Sequence, residues 1–350
     1  FLYTLRADLR YFAQNVVYSI ASAFPPGHGN GSKRAIIITS VLHFQKSSCS
    51  TVKRKRSMKP LHVFDFATAD FNIKPKTAYY FSVSGNDRND GSFAHPFKTI
   101  GHLSSLHLKA GDSLLLKGGD VFKENILLGS TTSGIEEKPV IITSYGHGKA
   151  TINAMDSSAI VVYQAKYIHI KNINLAGSGR KKGNSKDGIS ILNSSNIHID
   201  NLDITGFQKS GVLIYSSLFI KVTNIFAHSN GSAGIIVEGD DGKKSSRDIQ
   251  IVKCTAENNP GDPTNLTNHS GNGIVVGHCT NVLIDSCVAT NNGWDMPRIG
   301  NGPVGIWCYE ADSVIIQNCL SYRNKTSVGG ADGGGFDLDG GVTNSTIQYC

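Results

Sequence analysis

From Tyr167 onward, apolar and polar residues alternate at two-residue steps inside a nine-residue phrase that occurs seven times. The copies read YIHIKNINL, NIHIDNLDI, FIKVTNIFA, DIQIVKCTA, NVLIDSCVA, SVIIQNCLS and a shortened NSTIQYC. They start at Tyr167, Asn196, Phe219, Asp248, Asn281, Ser313 and Asn344, at spacings of 29, 23, 29, 33, 32 and 31 residues. Alternation rich in β-branched residues, with no i, i+3, i+4 pattern, predicts strands, and the long period predicts a solenoid. A second phrase with the same period begins at Gly188, Gly211, Gly234, Gly273, Gly305 and Gly335 and continues GISI, GVLI, GIIV, GIVV, GIWC and GFDL. Two or more strands per turn, each stacked on its counterpart in the next turn, make an all-β parallel β-helix with coils about 4.8 Å apart.

The alternation assigns faces. One inward column runs Ile189, Val212, Ile235, Ile274, Ile306, Phe336; another runs Ile173, Leu202, Ile225, Cys254, Cys287, Cys319, Cys350. Each fully buried member contributes about 1.5–3 kcal/mol. Asn230, Asn259, Asn292 and Asn324 each stand eleven residues after the start of a copy, in four consecutive copies. A shared offset predicts an asparagine ladder at a corner, where side-chain amides bond one another and the backbone that a sharp turn leaves unpaired. The seven cysteines include four in the second inward column, read as small buried hydrophobes, with rung-to-rung disulfides as the alternative. No CxxC or Cys/His metal spacing occurs.

Charge then changes the picture at one end only. Residues 1–77 hold twelve Lys or Arg against three Asp, whereas the rest hold twenty-two against twenty-four. The net charge of +7 thus belongs to a leader, not to the solenoid, and gives no reason to expect nucleic-acid binding. Residues 1–76 are expected to be a poorly ordered basic leader, with apolar runs too short to span a membrane, and the β-helix to occupy 77–350. A truncated C-terminus is expected too, since the chain stops inside NSTIQYC without a polar cap.

Ahead of the repeats, AYYFSVSGNDRNDGSFAHPFKTIGHLSSLHLKAGDSLLLKGGDVF predicts a strand, a polar loop, a short helix near Lys98–Leu106 and a strand at Ser113–Leu116. An open solenoid end exposes core and unpaired backbone, so this short helix is read as a lid. The opening SGNDRNDGSFAHPFKTI…LKAGDSLLLKGGDVF resembles the entry module of bacterial right-handed parallel β-helix repeat proteins. The close GPVGIWCYEADSVIIQNCLSYRNKT…GGGFDLDGGVTNSTIQYC is similar to one branch of that group in the pectate-lyase-like superfold. The resemblance implies a right-handed β-helix and directs attention to carbohydrate chemistry.

Loops lengthen on one edge, at 257–272, 291–304 and 324–334, each preceding a glycine-initiated strand; Gly239–Arg247 is the exception on the other side. Long loops stacked on a rigid scaffold are where a site is expected. The outward columns read Ser190, Leu213, Ile236, Val275, Trp307, Asp337 and Leu192, Tyr215, Glu238, Gly277, Tyr309, Asp339. Trp307 and Tyr309 are read as a sugar platform, with packing under the 291–304 loop as the alternative. Asp337 and Asp339, two residues apart on one face, are read as catalytic acid/base residues about 6–7 Å apart. Together with Asp332 they could instead bind Ca²⁺, which would neutralise a substrate uronate for β-elimination. Arg298 and His269 are candidate substrate contacts, with Arg323, Lys325, Trp294 and Asp295 as further loop candidates.

The pectin-hydrolase pattern of paired aspartates followed by Gly-His-Gly is absent, since Gly146-His147-Gly148 sits in an early turn without them. The arginine and proline signature of the main pectate lyases is missing too, so no catalytic residue is carried over from either. Phosphate loops, nucleotide fingerprints and nucleophile elbows are also absent. The expectation is an extracellular or envelope protein, monomeric, acting on an acidic or plant-type polysaccharide as lyase or glycoside hydrolase. Its alternative is a non-catalytic glycan-binding or surface protein of the same fold.

Overall fold

The computed structural model describes residues 77–331 and 333–350, so the expected leader at 1–76 lies outside the described residues. The repeated phrase supplies eleven strands of a sixteen-stranded sheet, and the glycine-initiated phrase six of an eight-stranded one, the others coming from the segment before the repeats. In chain order the second sheet stacks Ile126–Leu128, Ile160–Tyr163, Ile189–Leu192, Ser210–Tyr215, Ala233–Glu238, Asn272–Gly277, Ile306–Tyr309 and Phe336–Leu338. Every pairing in it is parallel, and the register matches like with like: Val212 with Ile235, Ile235 with Ile274, Ile274 with Ile306, Ile306 with Phe336. This is a parallel β-helix whose rungs follow the sequence repeat.

Left-handed backbone makes the corners. The first residue of every copy, from Tyr167 to Asn344, has φ between 49° and 59°, and the sixth, from Asn172 to Tyr349, between 51° and 57°. Asparagine and aspartate adopt this region readily. Tyr167, Phe219 and Lys253 adopt it in the same columns, held by the stacked coils rather than by their own preference. The first two copies run through the second corner as the unbroken strands Lys166–Gly177 and Ser195–Thr205. Later copies break there, giving the short strands Phe226–His228, Thr255–Glu257, Val288–Thr290 and Leu320–Tyr322.

One hydrophobic core fills the interior from Phe81 to Cys319. Cys254, Cys287 and Cys319 are fully buried within it, and Cys350 is exposed. Their thiols are free, so the disulfide alternative does not hold. Instead each backbone N–H meets the next sulfur at 3.4 Å, from Cys254 to Cys287, Cys287 to Cys319 and Cys319 to Cys350.

The asparagine ladder is continuous. Asn230 N–H donates to Asn259 Oδ1 at 3.0 Å, Asn259 to Asn292 at 3.0 Å, and Asn292 to Asn324 at 3.1 Å. The left-handed residue is the one before each rung of the ladder: Ser229, Asn258, Asn291 and Arg323. A serine ladder was not anticipated. Ala165 N–H donates to Ser194 Oγ, Ser194 N–H to Ser217 and Ser217 N–H to Ser246, at 3.1–3.2 Å.

At the N-terminal end the expected helix is a 3₁₀ helix, Ile100–Ser105. The Glu124 carboxylate accepts the Ile100 and Gly101 N–H groups at 3.1 and 2.6 Å, and Ile100 and Phe97 join Phe81 in the core. No helix among the described residues is long and apolar enough to cross a membrane.

Candidate functional site

The outer face of the eight-stranded sheet carries the predicted site. Cross-strand register places Val275 beside Trp307 and Trp307 beside Asp337, and Gly277 beside Tyr309. Adjacent rungs are about 4.8 Å apart, so these side chains are direct neighbours. Asp337 and Asp339 are both exposed, on the outward side. Asp339 Oδ1 accepts the N–H of Gly340 at 2.7 Å, which fixes the carboxylate at the turn that ends the strand. Burial, and then the charges of Asp337 and Asp339, push the Cys308 thiol up to about 12, so both acids act on the same rung.

The aromatic pair behaves differently from an open platform. Trp307 is only 4% exposed. Its Nε1–H donates to Asn272 Oδ1 at 3.0 Å, His269 meets its ring edge-on at 5.0 Å between centroids, and Val304 packs on it. The loops at 257–272 and 291–304 therefore fold over this indole, and the sugar-platform reading of Trp307 is corrected to a buried wall. Tyr309 is half-buried and packs against Trp307 with centroids 5.2 Å apart.

Tyr309 reaches past its neighbouring rung. Its phenol donates to Glu238 Oε2, two rungs away, by lying over Gly277. A Cβ at residue 277 would sit 2.3 Å from Tyr309 Cζ, so only glycine leaves the passage open. Glu238 is 5% exposed, and its Oε1 has no hydrogen-bond partner among the described residues. His278 Nε2 lies 3.9 Å from that oxygen, and His278 Nδ1 lies 3.9 Å from Asp241. Burial pushes Glu238 up to about 8, against the opposing pull of the phenol hydrogen bond, so at neutral pH it is chiefly the protonated acid. Burial and then the nearby Glu238 push the Tyr309 phenol up in turn.

Other candidates fall into place around this core. His269 joins the Trp307 wall, with Asn272 Nδ2 3.2 Å from His269 Nδ1. Arg298 donates to Asn301 O at 2.9 Å within its own loop. Arg323 occupies a corner and Lys325 the loop after it, both exposed. Asp332 lies outside the described residues. Three residues were missed as site members: Glu238, Asn272 and Glu310. The Glu310 carboxyl lies against the turn after Asp339, where a Cβ on Gly341 would approach it to 2.3 Å. The signal was a glycine in an outward column of larger residues, Gly277 for Glu238, or a polar residue one step before a periodically spaced glycine, Asn272 before Gly273.

The family described as Pel9A-like, right-handed β-helix region matches residues 79–350. The chain belongs to this family. The lacto-N-biosidase of Bifidobacterium longum subsp. longum is 27% identical over 141 residues, covering 39% of this chain and 9% of that protein. Among solved structures, the selenomethionine form of the GH136 lacto-N-biosidase from Eubacterium ramulus superposes with a TM-score of 0.61 at 19% identity, covering 78% of this chain and 55% of that one. Its native form gives 0.59 at 18% identity, with the same coverage. The Pel9A-like chain thus spans about a tenth of the curated relative and just over half of the solved one, and at such identities the structural likeness shows the fold.

Proposed function

We propose that this protein is a glycoside hydrolase of oligo- or polysaccharides, with Asp337 and Asp339 as its acid and base pair. The observation that carries this reading is the placement of both carboxylates on the outer face of the last described rung, beside a wall made by Trp307, Tyr309 and His269. Two such groups can protonate a leaving oxygen and activate water or attack the anomeric carbon. Their separation of about 6–7 Å falls between the retaining and inverting arrangements. The two lacto-N-biosidase relatives support a neutral oligosaccharide as substrate class, and saccharides with a lacto-N-biose end are the first to try. An extracellular or envelope location fits such a substrate.

A second reading has its own support in the acid-rich rung. Asp337 and Asp339, with Asp332, would hold Ca²⁺ against the carboxylate of a uronate polysaccharide, and the metal would supply charge neutralisation for β-elimination. Calcium takes about six to eight oxygens. No three acid, histidine or cysteine side chains converge among the described residues, so loop carbonyls and the substrate would complete the shell.

Incubation with neutral and uronate-containing glycans separates these readings. Reducing ends without ultraviolet absorbance of an unsaturated uronate support hydrolysis; such absorbance, abolished by chelator, supports the lyase. Silence in both assays with retained glycan binding leaves a non-catalytic binding protein. Asp339→Asn should lower turnover by about 10²–10⁴-fold with an unchanged melting temperature. Activity at the wild-type level in that variant rejects the assignment.

A further inference from the structure

The chain has two tryptophans, and they are treated in opposite ways. Trp307 is buried, whereas Trp294 is 45% exposed on the loop edge. An indole left half in water adds little to folding, yet two contacts hold this one still. Its Nε1–H donates to Asn258 Oδ1 at 3.0 Å. Asn258 is itself a left-handed corner residue, tied to Asn291 and Ser229 in the rungs on either side. The guanidinium of Arg180 lies over the ring, 6.0 Å from its centroid.

Arg180 is an unusual support. It comes from the 178–187 loop, several coils earlier, and its side chain is 11% exposed. It donates to Gly261 O at 2.8 Å and pairs with Asp295, so it is fixed from two other loops. Lys181 adds a second contact to the same carboxylate at 2.6 Å. Burial tends to raise Asp295, but the hydrogen bonds and charges of Lys181 and Arg180 prevail and hold its carboxyl below the usual range. The ring therefore has one face backed by a cation, its N–H engaged, and the rest open to solvent.

We propose that Trp294 is the floor of a second sugar-binding subsite, on the corner side of the loop edge and apart from the rung of Asp337 and Asp339. This rests on the glycan-directed reading above. A pyranose ring has C–H groups on one face and hydroxyls around its rim. The C–H face stacks on the free side of the indole, where the ring quadrupole attracts it. The rim hydroxyls meet Asp295, an acceptor, and Lys181, a donor, both partly open to solvent. Asp295 is the one anion against the two cations Arg180 and Lys181, so the subsite suits a hydroxyl-rich ring, neutral or acidic. A protein partner would call for apolar neighbours around the indole, whereas the two groups that hold this ring, Asn258 and Arg180, are polar. Because the ring is already fixed, stacking on it loses little side-chain entropy.

The test uses acrylamide quenching of tryptophan fluorescence on the full chain. Trp294 should supply the quenchable emission and Trp307 the shielded remainder. The probes are lacto-N-biose-containing and galacturonate-containing oligosaccharides. A saccharide that is cleaved or bound should protect Trp294 from acrylamide in the wild-type protein and equally in Asp339→Asn. Trp294→Ala should weaken binding, or raise KM, by about tenfold with kcat within about twofold and unchanged thermal unfolding. Trp294→Phe should recover part of that loss. If a saccharide is processed but leaves Trp294 as quenchable as before, and Trp294→Ala binds it as well as wild type, the subsite is rejected while the catalytic reading stands. If none of the probes is bound or cleaved, the glycan reading fails and the subsite with it.

Discussion

The phenol of Tyr309 crosses two rungs, roughly 9–10 Å of sheet, to reach Glu238. It can do so because residue 277, between them in the column, has no side chain. The result is a buried acid that keeps its proton at neutral pH, pushed up to about 8 by burial. In the unfolded chain the same group ionises near its ordinary 4.5. Between those values the native state binds the extra proton, so Glu238 lowers native stability progressively as pH rises from about 4.5 to about 8. Glu238→Gln keeps an acceptor for the phenol and removes the titration. Its melting temperature should match wild type near pH 4 and exceed it at pH 8, as differential scanning calorimetry can measure. A variant curve parallel to wild type across that range would contradict the protonated acid.

At the scale of the element, the ladders carry the corners. Asn259 Oδ1 accepts the Asn230 N–H, while its Nδ2 donates to Ala227 O at 3.1 Å and Asn292 Oδ1 at 2.9 Å. Asn259→Ala strands a buried N–H and a buried carbonyl together, and should cost about 2–4 kcal/mol in urea unfolding. A loss under about 0.5 kcal/mol would mean that water replaces the amide. This ladder was legible before the structure, because four asparagines at one offset have no other simple cause. Strand faces were legible for a related reason: a period of two leaves no freedom about which side chain points in. The corners were not. The left-handed residue sits one position ahead of the ladder and includes Arg323, whose own preference gives no warning. The fate of Trp307 was equally hidden, since alternation assigns a side of the sheet but not whether a loop folds over it. Contacts such as Arg180 with Asp295 join loops several coils apart and leave no periodic trace.

Across the whole molecule, titrations of opposite sign act on stability. His169 and His198 meet edge to face on the outer face of the long sheet, with ring centroids 5.5 Å apart. Burial first, then His198, Lys171 and Lys221, bring His169 down from 6.5 to about 4. Burial and then Lys221 bring His198 down to about 4, with Asp200 opposing. The unfolded chain takes these protons first, so their effect is absent above about 6.5 and costs stability as pH falls towards about 4. Glu238 acts in the other direction over an overlapping window. The melting temperature of the double substitution His169→Gln, His198→Gln should therefore rise relative to wild type as pH falls from about 6.5 towards about 4. Imidazole proton resonances that remain those of neutral rings at pH 5 would be the direct check.

The 23-residue interval from Asn196 to Phe219 and the 33-residue interval from Asp248 to Asn281 begin and end on the same kind of corner. Ten extra residues have been absorbed without displacing the strands that follow. Selectivity in such a scaffold can thus be rewritten by lengthening or trading a loop, a change that never asks the frame to refold, and grafting the 257–272 segment onto a neighbouring coil is a practical route to new recognition.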